Sequence, residues 1–184
     1  MQRNPASGET ARHTAHRPAP VSLRPVLAAD ASALFPLIYR SKVTETILWD
    51  GPDSLEEYRA ALADREAQMA RGQKHMFTIL FNGNPVGSCD FRPGSPADMG
   101  LWIGEKFQGQ GIGTQAIKEL VKHGFQMPET QTIESHIFVG NFASRRIFEK
   151  NGFTYTGNIP AEKHGKPIEE WVLALKRSEY EAHH

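Results

Sequence analysis

One stretch of the sequence, residues 101–125, constrains the fold more than any other, because it passes from an apolar strand through a glycine-rich turn into an amphipathic helix. The turn holds Gly109, Gly111 and Gly113 at alternate positions. The apolar residues that follow recur at the spacing of one helix face, namely Ala116, Ile117, Leu120, Val121 and Phe125. The first turn of a helix leaves backbone N–H groups without intrahelical partners and carries the positive end of the helix dipole. Because glycine has no Cβ, the turn lets an anion such as a pyrophosphate approach these groups closely, and the segment predicts a main-chain anion site.

Spacing separates this turn from other glycine-rich motifs. A P-loop needs a lysine followed by serine or threonine, whereas Gly113 is followed by Thr114 and Gln115. A dinucleotide fingerprint needs the spacing G-x-G-x-x-G, which alternate glycines do not supply. The sequence does match Q-x-x-G-x-G, from Gln108 to Gly113. A tight strand-to-helix turn that binds nothing remains open as the alternative.

Composition bounds the class of protein. The 184 residues suit one domain with a sizeable core, and basic and acidic residues are equal in number, at 21 each. A net charge of zero gives no long-range attraction to nucleic acid or to a membrane, so neither is expected as a partner. The one cysteine, Cys89, excludes an internal disulfide and fits a reducing compartment. Because the chain has no apolar run of about 18 residues and no apolar signal-peptide core, we expect a soluble, cytoplasmic protein.

The distribution of apolar residues divides the chain into a flexible tail (residues 1–20), one domain (residues 21–177) and a C-terminal tail (residues 178–184). The first segment has no isoleucine, leucine, valine or aromatic residue with which to offset its ordering entropy. His13 and His16 within it are expected to be solvated, and no metal site is predicted.

Within the domain the elements are expected in the order β-α-α-β-β-β-α-β-α-β-β, a mixed sheet covered by helices. The predicted strands lie near residues 21–25, 75–81, 86–91, 98–103, 132–139 and 168–175, and one more strand is expected to start at residues 153–155. A first helix is expected to be capped by Asp30, and a second by Ser54 with Glu57 in a capping box. The two other helices follow the glycine turn and Asn141.

A second motif gives these elements a family resemblance. Residues 141–153, NFASRRIFEKNGF, resemble the N-x-A-S-x-x-x-x-E-K-x-G-F segment of the GNAT superfamily of acyl-CoA N-acyltransferases, in which Q-x-x-G-x-G binds the pyrophosphate of acyl-CoA. With the segment GLWIG at residues 100–104, the chain is most similar to the branch of ribosomal-protein N-terminal (alanine/serine) acetyltransferases. The resemblance covers residues 21–176. It implies the GNAT fold, an α+β architecture of three layers with a mixed, mostly antiparallel and splayed sheet flanked by helices.

The resemblance also implies a reaction, the transfer of an acetyl group from acetyl-CoA to a primary amine by direct attack in a ternary complex. The acceptor is then the N-terminal α-amine of a ribosomal or other protein, or a small-molecule amine, and the enzyme a monomer or homodimer. The cofactor is expected between two splayed strands that end near Gly104 and Val139. The implied cofactor-binding residues are Leu101, Trp102, Ile103, Phe107, Gln108, Gly109, Gln110, Gly111, Ile112, Gly113, Thr114, Asn141 and Ser144. A non-catalytic CoA-binding regulatory domain is the alternative.

The chemistry requires a proton acceptor, because an amine attacks a thioester only when it is neutral. Asp98 and His136 occupy positions where family members carry a basic carboxylate, and either is a candidate base. Phe148 stands where many members have a tyrosine that protonates the leaving thiolate, so Ser144 or water is expected to serve instead. Asn141 is interpreted both as a cofactor contact and as a helix N-cap. The candidate acceptor-binding residues are Trp49, Glu134, Glu169 and Glu170.

Overall fold

The computed structural model describes residues 21–183, and the predicted tail of residues 1–20 lies outside the described residues. The strands are β1 Val21–Pro25, β2 His75–Phe81, β3 Asn84–Arg92, β4 Ala97–Ile103, β5 Thr132–Phe138, β6 Thr154–Lys163 and β7 Lys166–Lys176. The helices are α1 Ala31–Ile38, α2 Leu55–Ala70, α3 Ile112–Phe125, α4 Phe142–Glu149 and α5 Arg177–Glu181. The predicted order of elements up to β7 is confirmed, with boundaries that differ by a few residues.

The sheet has a weak joint in its middle. Its strands lie in the order β1-β2-β3-β4-β5-β7-β6, and each neighbouring pair is antiparallel except β4 and β5. These two strands pair only at Ala97 with Ile133 and at Asp98 with Glu134. Beyond this point they separate, so the edge of β4 that faces β5 has no strand partner along the rest of its length. The mixed, mostly antiparallel and splayed sheet that the resemblance implied is confirmed.

Helices cover both faces of the sheet. On one face α3 buries the predicted apolar stripe, including Ile112, Ala116, Ile117 and Leu120, against the odd-numbered residues of β3 and β4 such as Cys89 and Met99. On the other face α1 and α2 bury a second cluster, composed of Val26, Ala31, Leu34, Ile38, Val43, Tyr58, Leu62 and Trp102. The core is therefore divided by the sheet into two layers. Among residues 21–183, none of the helices has both the length and the apolar character needed to cross a bilayer.

The N-termini of the first two helices differ from each other. Ser54 caps α2 as predicted, since its hydroxyl accepts the N–H of Glu57 at 3.1 Å, while the Glu57 carboxylate accepts the N–H of Asp53 at 3.0 Å. Asp30, in contrast, makes no side-chain capping bond to α1, and that prediction was wrong. Its carboxylate turns into the protein and accepts hydrogen bonds from Arg24 (2.6 Å), Thr78 (2.6 Å) and the N–H of Leu27 (3.0 Å).

The chain after β7 is folded onto the domain. The sequence predicted a tail from residue 178, but residues Arg177–Glu181 form α5. Tyr180 stacks on Phe125 with 4.9 Å between ring centroids, and Arg177 donates to the carbonyls of Met127 and Thr130. The ring contact of Tyr180 and the two hydrogen bonds of Arg177 hold α5 against the domain.

The buried carboxylate of Asp30 links β1, β2 and the turn before α1. We expect Asp30→Asn to lower the free energy of unfolding by about 2–4 kcal/mol, because it leaves Arg24 and Thr78 without their ionised partner. Asp64→Asn on the exposed face of α2 is the control and should change stability by less than about 0.5 kcal/mol. Chemical denaturation of the two variants and the wild type measures both effects.

The same difference should depend on pH. Burial alone would raise the pKa of Asp30, but the hydrogen bonds from Arg24, Thr78 and Leu27, with the charge of Arg24, hold that pKa below its usual value. A carboxyl whose pKa is lower in the folded state stabilises the fold above its unfolded pKa, about 3.9, and this contribution is lost as the pH falls through the folded value. A stability difference that is unchanged between pH 7 and pH 3 would contradict this account.

Candidate active site

A cleft of about 1410 Å³ opens where β4 and β5 separate. Its walls are the diverging ends of the two strands, the glycine-rich turn, the start of α4 and the connection between α1 and α2. Since β4 is hydrogen-bonded to β3 through Ile103, its backbone stays extended along the gap while the β5 side of it is unpaired. The cleft therefore presents a row of unpaired main-chain groups, which can bind an extended ligand as an added strand would.

The glycine-rich turn closes one end of this cleft. Gly109 (φ +74°) and Gly111 (φ +79°) adopt the left-handed conformation, and neither has any atom within 4 Å of the position where a Cβ would stand. Gln108 anchors the turn by donating from Nε2 to the carbonyl oxygen of Ile103 at 3.0 Å. α3 begins at Ile112, and its first residues line the cleft. The N–H groups of the first helical turn thus face an open space, as an anion site requires.

Gly113 has a different reason to be glycine. A Cβ at this position would stand 2.6 Å from Cδ1 of Ile147 and 3.2 Å from Cδ1 of Ile103. This glycine lets α3 pack closely on α4. The sequence interpretation gave all three glycines the role of admitting a ligand, but only Gly109 and Gly111 have open space beside them.

Basic side chains from α4 line the same end of the cleft. Arg146 and Lys150 stand one helical turn apart and are both exposed. They were not singled out from the sequence, although their spacing of four residues on a helix that follows Asn141 was the available signal. Together with the N–H groups of the turn they make this end positive.

The start of α4 supplies three of the predicted site residues. Asn141 is the N-cap, because its Oδ1 accepts the N–H of Ser144 at 3.1 Å. Ser144 lies half-buried in the cleft wall. Phe148 is 1% exposed and packs edge-on against Phe153, with 5.2 Å between ring centroids, so the position of the missing tyrosine belongs to the core.

Carboxylates gather on the α2 face of the sheet, at the other end of the cleft. Asp98 accepts two hydrogen bonds at Oδ2 from Arg92, from Nε at 3.1 Å and from Nη2 at 2.6 Å. Arg92 also forms an ion pair with Asp90. The second oxygen of Asp98, Oδ1, is buried and has no hydrogen-bond partner among residues 21–183. Burial raises the pKa of Asp90, and Arg92 opposes that shift.

Strands β5 and β7 add three titratable side chains to this face. Glu134 pairs with Asp98 across the last rung of the β4–β5 ladder, and His136 stands two residues further along β5. Nε2 of His136 lies 3.6 Å from the Glu134 carboxylate. Glu170 on β7 lies opposite Phe138, is 5% exposed and lines the cleft. Burial raises the pKa of Glu170, with a smaller lowering by His136 and a further rise from Asp98.

The acceptor side of the cleft has a wall made by two distant segments. Nζ of Lys163, at the end of β6, donates to the carbonyl oxygens of Thr44 and Ile47 at 2.7 and 2.5 Å and lies 2.9 Å from the Asp50 carboxylate. This lysine fastens the β6–β7 hairpin to the connection between α1 and α2. Trp49 in that connection lines the cleft next to Tyr58, with 5.9 Å between ring centroids. Lys163 was missed from the sequence because its partners are more than 100 residues away.

Comparison with known proteins assigns the family. Residues 21–154 match the family model described as an acetyltransferase (GNAT) domain. The chain belongs to the GNAT acetyltransferase family. It is 28% identical over 144 residues to the ribosomal-protein-serine acetyltransferase of Escherichia coli (strain K12), a match that covers 74% of this chain and 80% of that protein. It is 26% identical over 159 residues to an aminoglycoside N(6')-acetyltransferase type 1 of Klebsiella pneumoniae, covering 76% of each.

The structure agrees with the sequence match. The fold superimposes on a ribosomal L7/L12 α-N-protein acetyltransferase, RimL, in complex with coenzyme A, with a TM-score of 0.75 and 25% identity. The match covers 85% of this chain and 93% of that one. The predicted family and fold are confirmed.

The GNAT cleft brings together most of the residues that the sequence singled out. Asp98, His136, Ser144, Asn141, Trp49 and Glu170 line it, as do the predicted cofactor-binding residues except Gln110. Gln110 points its amide back to the carbonyl of Lys106 at 3.1 Å, and Glu134 reaches the cleft only through His136. Glu169 lies on the opposite face of β7, where Asn158 donates to its carboxylate at 3.1 Å, so its expected contact with the acceptor was wrong. Successive side chains of a strand point to opposite faces of the sheet, so only one of two adjacent glutamates can face the site.

Cys89 has the role expected of a buried apolar residue. It is 2% exposed, lies in the α3 core, and burial raises the pKa of its thiol. A thiol that resists ionisation is a poor nucleophile, which agrees with direct transfer between the two substrates rather than an acetylated cysteine.

The cleft fits coenzyme A by its own geometry. Unpaired main-chain groups at Leu101, Trp102 and Ile103 can pair with the amides of a pantetheine arm. N–H groups of Gly109, Gly111 and the first turn of α3 can hold a pyrophosphate, and Arg146 and Lys150 add positive charge.

Gly111→Ala tests the main-chain anion site. Alanine at a φ of +79° forces the turn out of the left-handed conformation and moves its N–H groups. We expect the dissociation constant for CoA, measured by calorimetry, to rise tenfold or more, which is about 1.4 kcal/mol.

Gly83→Ala is the matched control, since Gly83 has a φ of +78° and equally open surroundings in the turn between β2 and β3. Both variants should lose about 1–2 kcal/mol of stability, but only Gly111→Ala should lose CoA affinity. Equal CoA affinity in both folded variants would contradict the assignment.

Proposed function

We propose that this chain transfers the acetyl group of acetyl-CoA to a positively charged primary amine, with the thioester held in the gap between β4 and β5 and the amine entering from the α2 face. The observation that carries this proposal is the position of the carboxylate cluster. Asp98 stands on the last paired rung, at the point where the two strands begin to part. A ligand that fills the gap as a third strand therefore ends beside it.

Free carboxylate oxygens in the cluster favour a cationic acceptor. Asp90, Asp98 and Glu170 line this part of the cleft with three cations, Arg65, Lys74 and Arg92, of which Arg92 forms ion pairs with Asp90 and Asp98. The zero net charge of the whole chain argued mildly against polyamines, but total charge does not report how charge is distributed. Oδ1 of Asp98 and the carboxylate of Glu170 remain without a protein donor among the described residues, so each can accept a hydrogen bond from an ammonium group.

The names of the relatives describe enzymes that act on amines of this kind. One is a ribosomal-protein-serine acetyltransferase, and another acetylates aminoglycosides at an amine. These names support two acceptor classes for this chain, the N-terminal α-amine of a protein and a small polyamine or amino sugar.

Departure of CoA leaves a thiolate that must be stabilised. Ser144 carries the hydroxyl group in the first turn of α4, and it stands in the cleft wall. We assign to its hydroxyl a hydrogen bond to the sulfur, with water as the source of the proton. The first turn of α4 adds the positive end of a short helix dipole.

The cell compartment follows from the same chemistry. A single buried thiol fits a reducing compartment, and we propose the cytoplasm. The balanced charge gives nucleic acid no general attraction to the surface.

Release of the CoA thiol against a panel of amines tests the function. The panel contains peptides that begin with serine or alanine, a polyamine and an aminoglycoside, each beside the same compound with its amine already acetylated. We expect thiol release only when a free amine is present. The rate of release should rise to a maximum as the concentration of that amine increases. CoA binding without release for any free amine would instead identify a non-catalytic CoA-binding domain.

A further inference from the structure

We propose that Glu170 is the catalytic residue that takes the proton from the acceptor ammonium, and that His136 passes this proton on to solvent. The inference rests on the proposed function and deepens it. The sequence had interpreted Glu170 as an acceptor-binding residue, with Asp98 and His136 as the first candidate bases and Glu169, Glu170 or a water relay as the candidates if both failed.

Position is the first argument for Glu170. β5 and β7 are antiparallel neighbours in which His136 lies opposite Val172 and Phe138 opposite Glu170. His136 and Glu170 are therefore diagonal neighbours on one face of the sheet, within reach of each other for long side chains. Asp98 lies on the same face across the β4–β5 joint. Glu170 thus shares the face of Asp98 and His136, and it lies opposite Phe138, four residues along β5 from the last β4–β5 pair at Glu134.

The second argument is that the Glu170 carboxyl opens to the cleft and is free to accept a donor. The residue is 5% exposed and lines the cleft, and no residue among those described donates a hydrogen bond to its carboxylate. A mostly buried carboxylate without a protein donor is available to a donor that a ligand brings into the cleft. An ammonium group of the acceptor is a donor of the required charge.

Asp98 is already engaged. Its Oδ2 accepts two N–H groups of Arg92, so this oxygen already has its hydrogen-bond partners. Its buried Oδ1 remains open to one donor. Asp98 is suited to hold the ammonium through Oδ1 while Glu170 removes the proton.

Burial adds to this division of roles. Burial raises the pKa of Glu170, the charge of Asp98 raises it further, and His136 opposes both. A carboxyl with a raised pKa is a stronger base than an ordinary glutamate, and it is ionised only above that raised value. The charged groups around it are Asp98 on β4, Asp90 and Arg92 on β3, Glu134 and His136 on β5, and Arg65 and Lys74 near Asp90.

His136 connects this buried carboxyl to water. Its side chain is 36% exposed, and its Nε2 lies 3.6 Å from Glu134. An imidazole that is open to solvent and is a diagonal neighbour of the acid can accept a proton on one nitrogen and release one from the other. It is the group that returns Glu170 to its ionised form.

The proton balance of the step is closed. The ammonium gives its first proton to the Glu170 carboxylate, which gives it to His136 and then to solvent. The neutral amine attacks the thioester carbonyl, so that the C–N bond forms and the C–S bond breaks. The second proton leaves the amide nitrogen as the thiolate gains one from water, and the net products are the acetamide, the CoA thiol and one proton.

Glu170→Gln tests the proposal, with Glu169→Gln as its matched control. Both changes remove one carboxylate from adjacent positions of β7, but Glu169 faces away from the cleft. We expect Glu170→Gln to lower kcat/KM about 100-fold or more with CoA affinity changed less than twofold, and Glu169→Gln to stay within threefold of the wild type. A Glu170→Gln variant with a near-normal rate overturns the proposal, as does an Asp98→Asn variant that loses more activity while binding its acceptor normally.

The basicity of the acceptor separates a base from a structural residue. An amine of low pKa is already neutral at the assay pH and needs no base. The loss caused by Glu170→Gln should therefore shrink for weakly basic acceptors and at high pH. An equal loss for every acceptor would mean that Glu170 only shapes the cleft, and the proposal would fail.

His136→Gln tests the relay through a pH profile. Without the imidazole, whose charge lowers the pKa of Glu170, the rising limb of kcat/KM should move to higher pH, and imidazole added to the buffer should restore part of the rate. An unshifted limb without rescue overturns the relay. If Glu170→Gln does not bind CoA, Glu170→Asp replaces it, and a rising limb and a rate that are both unchanged in that folded variant count against Glu170. A wild type that releases no thiol with any amine contradicts the proposed function itself, not this assignment.

Discussion

The structure depends on the parting of β4 and β5. The two strands share two residue pairs, whereas β3 holds β4 over six pairs and β5 is held by β7 over seven. Each strand is thus fixed by its outer neighbour, and neither can close the gap without breaking a longer ladder. The sheet is in effect two smaller sheets that touch at Ala97 and Asp98. Main-chain groups that would be satisfied in a continuous sheet are left for a ligand to satisfy.

The elements around the gap follow from this parting. The glycine turn must lead from the end of β4 into a helix that starts at the gap, and Gly109 and Gly111 supply the left-handed backbone this path needs. α3 and α4 hold the two half-sheets together on the other face, and the close contact of Gly113 with Ile147 is where they meet. Basic side chains lie near α4 at the cofactor end of the cleft, whereas the acceptor end combines carboxylates with cations and leaves oxygens of Asp98 and Glu170 without a donor among the described residues. The first end suits the pyrophosphate of the donor, and the free oxygens of the second suit the ammonium group of the acceptor.

Local patterns were enough to predict part of this arrangement. The order of strands, the glycine turn and the caps at Ser54 and Asn141 depend on residues close in sequence, and the structure confirms these predictions. Asp30 was misplaced because its partner Thr78 lies on a strand 48 residues away. Glu169 and Glu170 could not be told apart, because the face each one takes depends on the register between β7 and β5.

The acid–base assignments show the same limit. Asp98 and His136 were found by motif position, but the motif does not reveal that Arg92 neutralises Asp98. The sequence did hold a signal for an ion pair here. Asp90 and Arg92 lie two residues apart on one strand, so their side chains share a face of the sheet. What the sequence lacked was the pairing of β3 with β4, which brings Arg92 opposite Asp98.

The most direct test of the account is a crystal structure of the chain with coenzyme A bound. The account predicts the pantetheine arm in the gap, paired with the main chain of residues 101–103, and the pyrophosphate on the N–H groups of residues 109–114. The sulfur should then lie between Ser144 and the carboxylate face that holds Asp98 and Glu170. Coenzyme A bound elsewhere, with β4 and β5 still parted and the glycine turn unoccupied, would contradict the central claim that the weak joint of the sheet exists to hold the acyl donor.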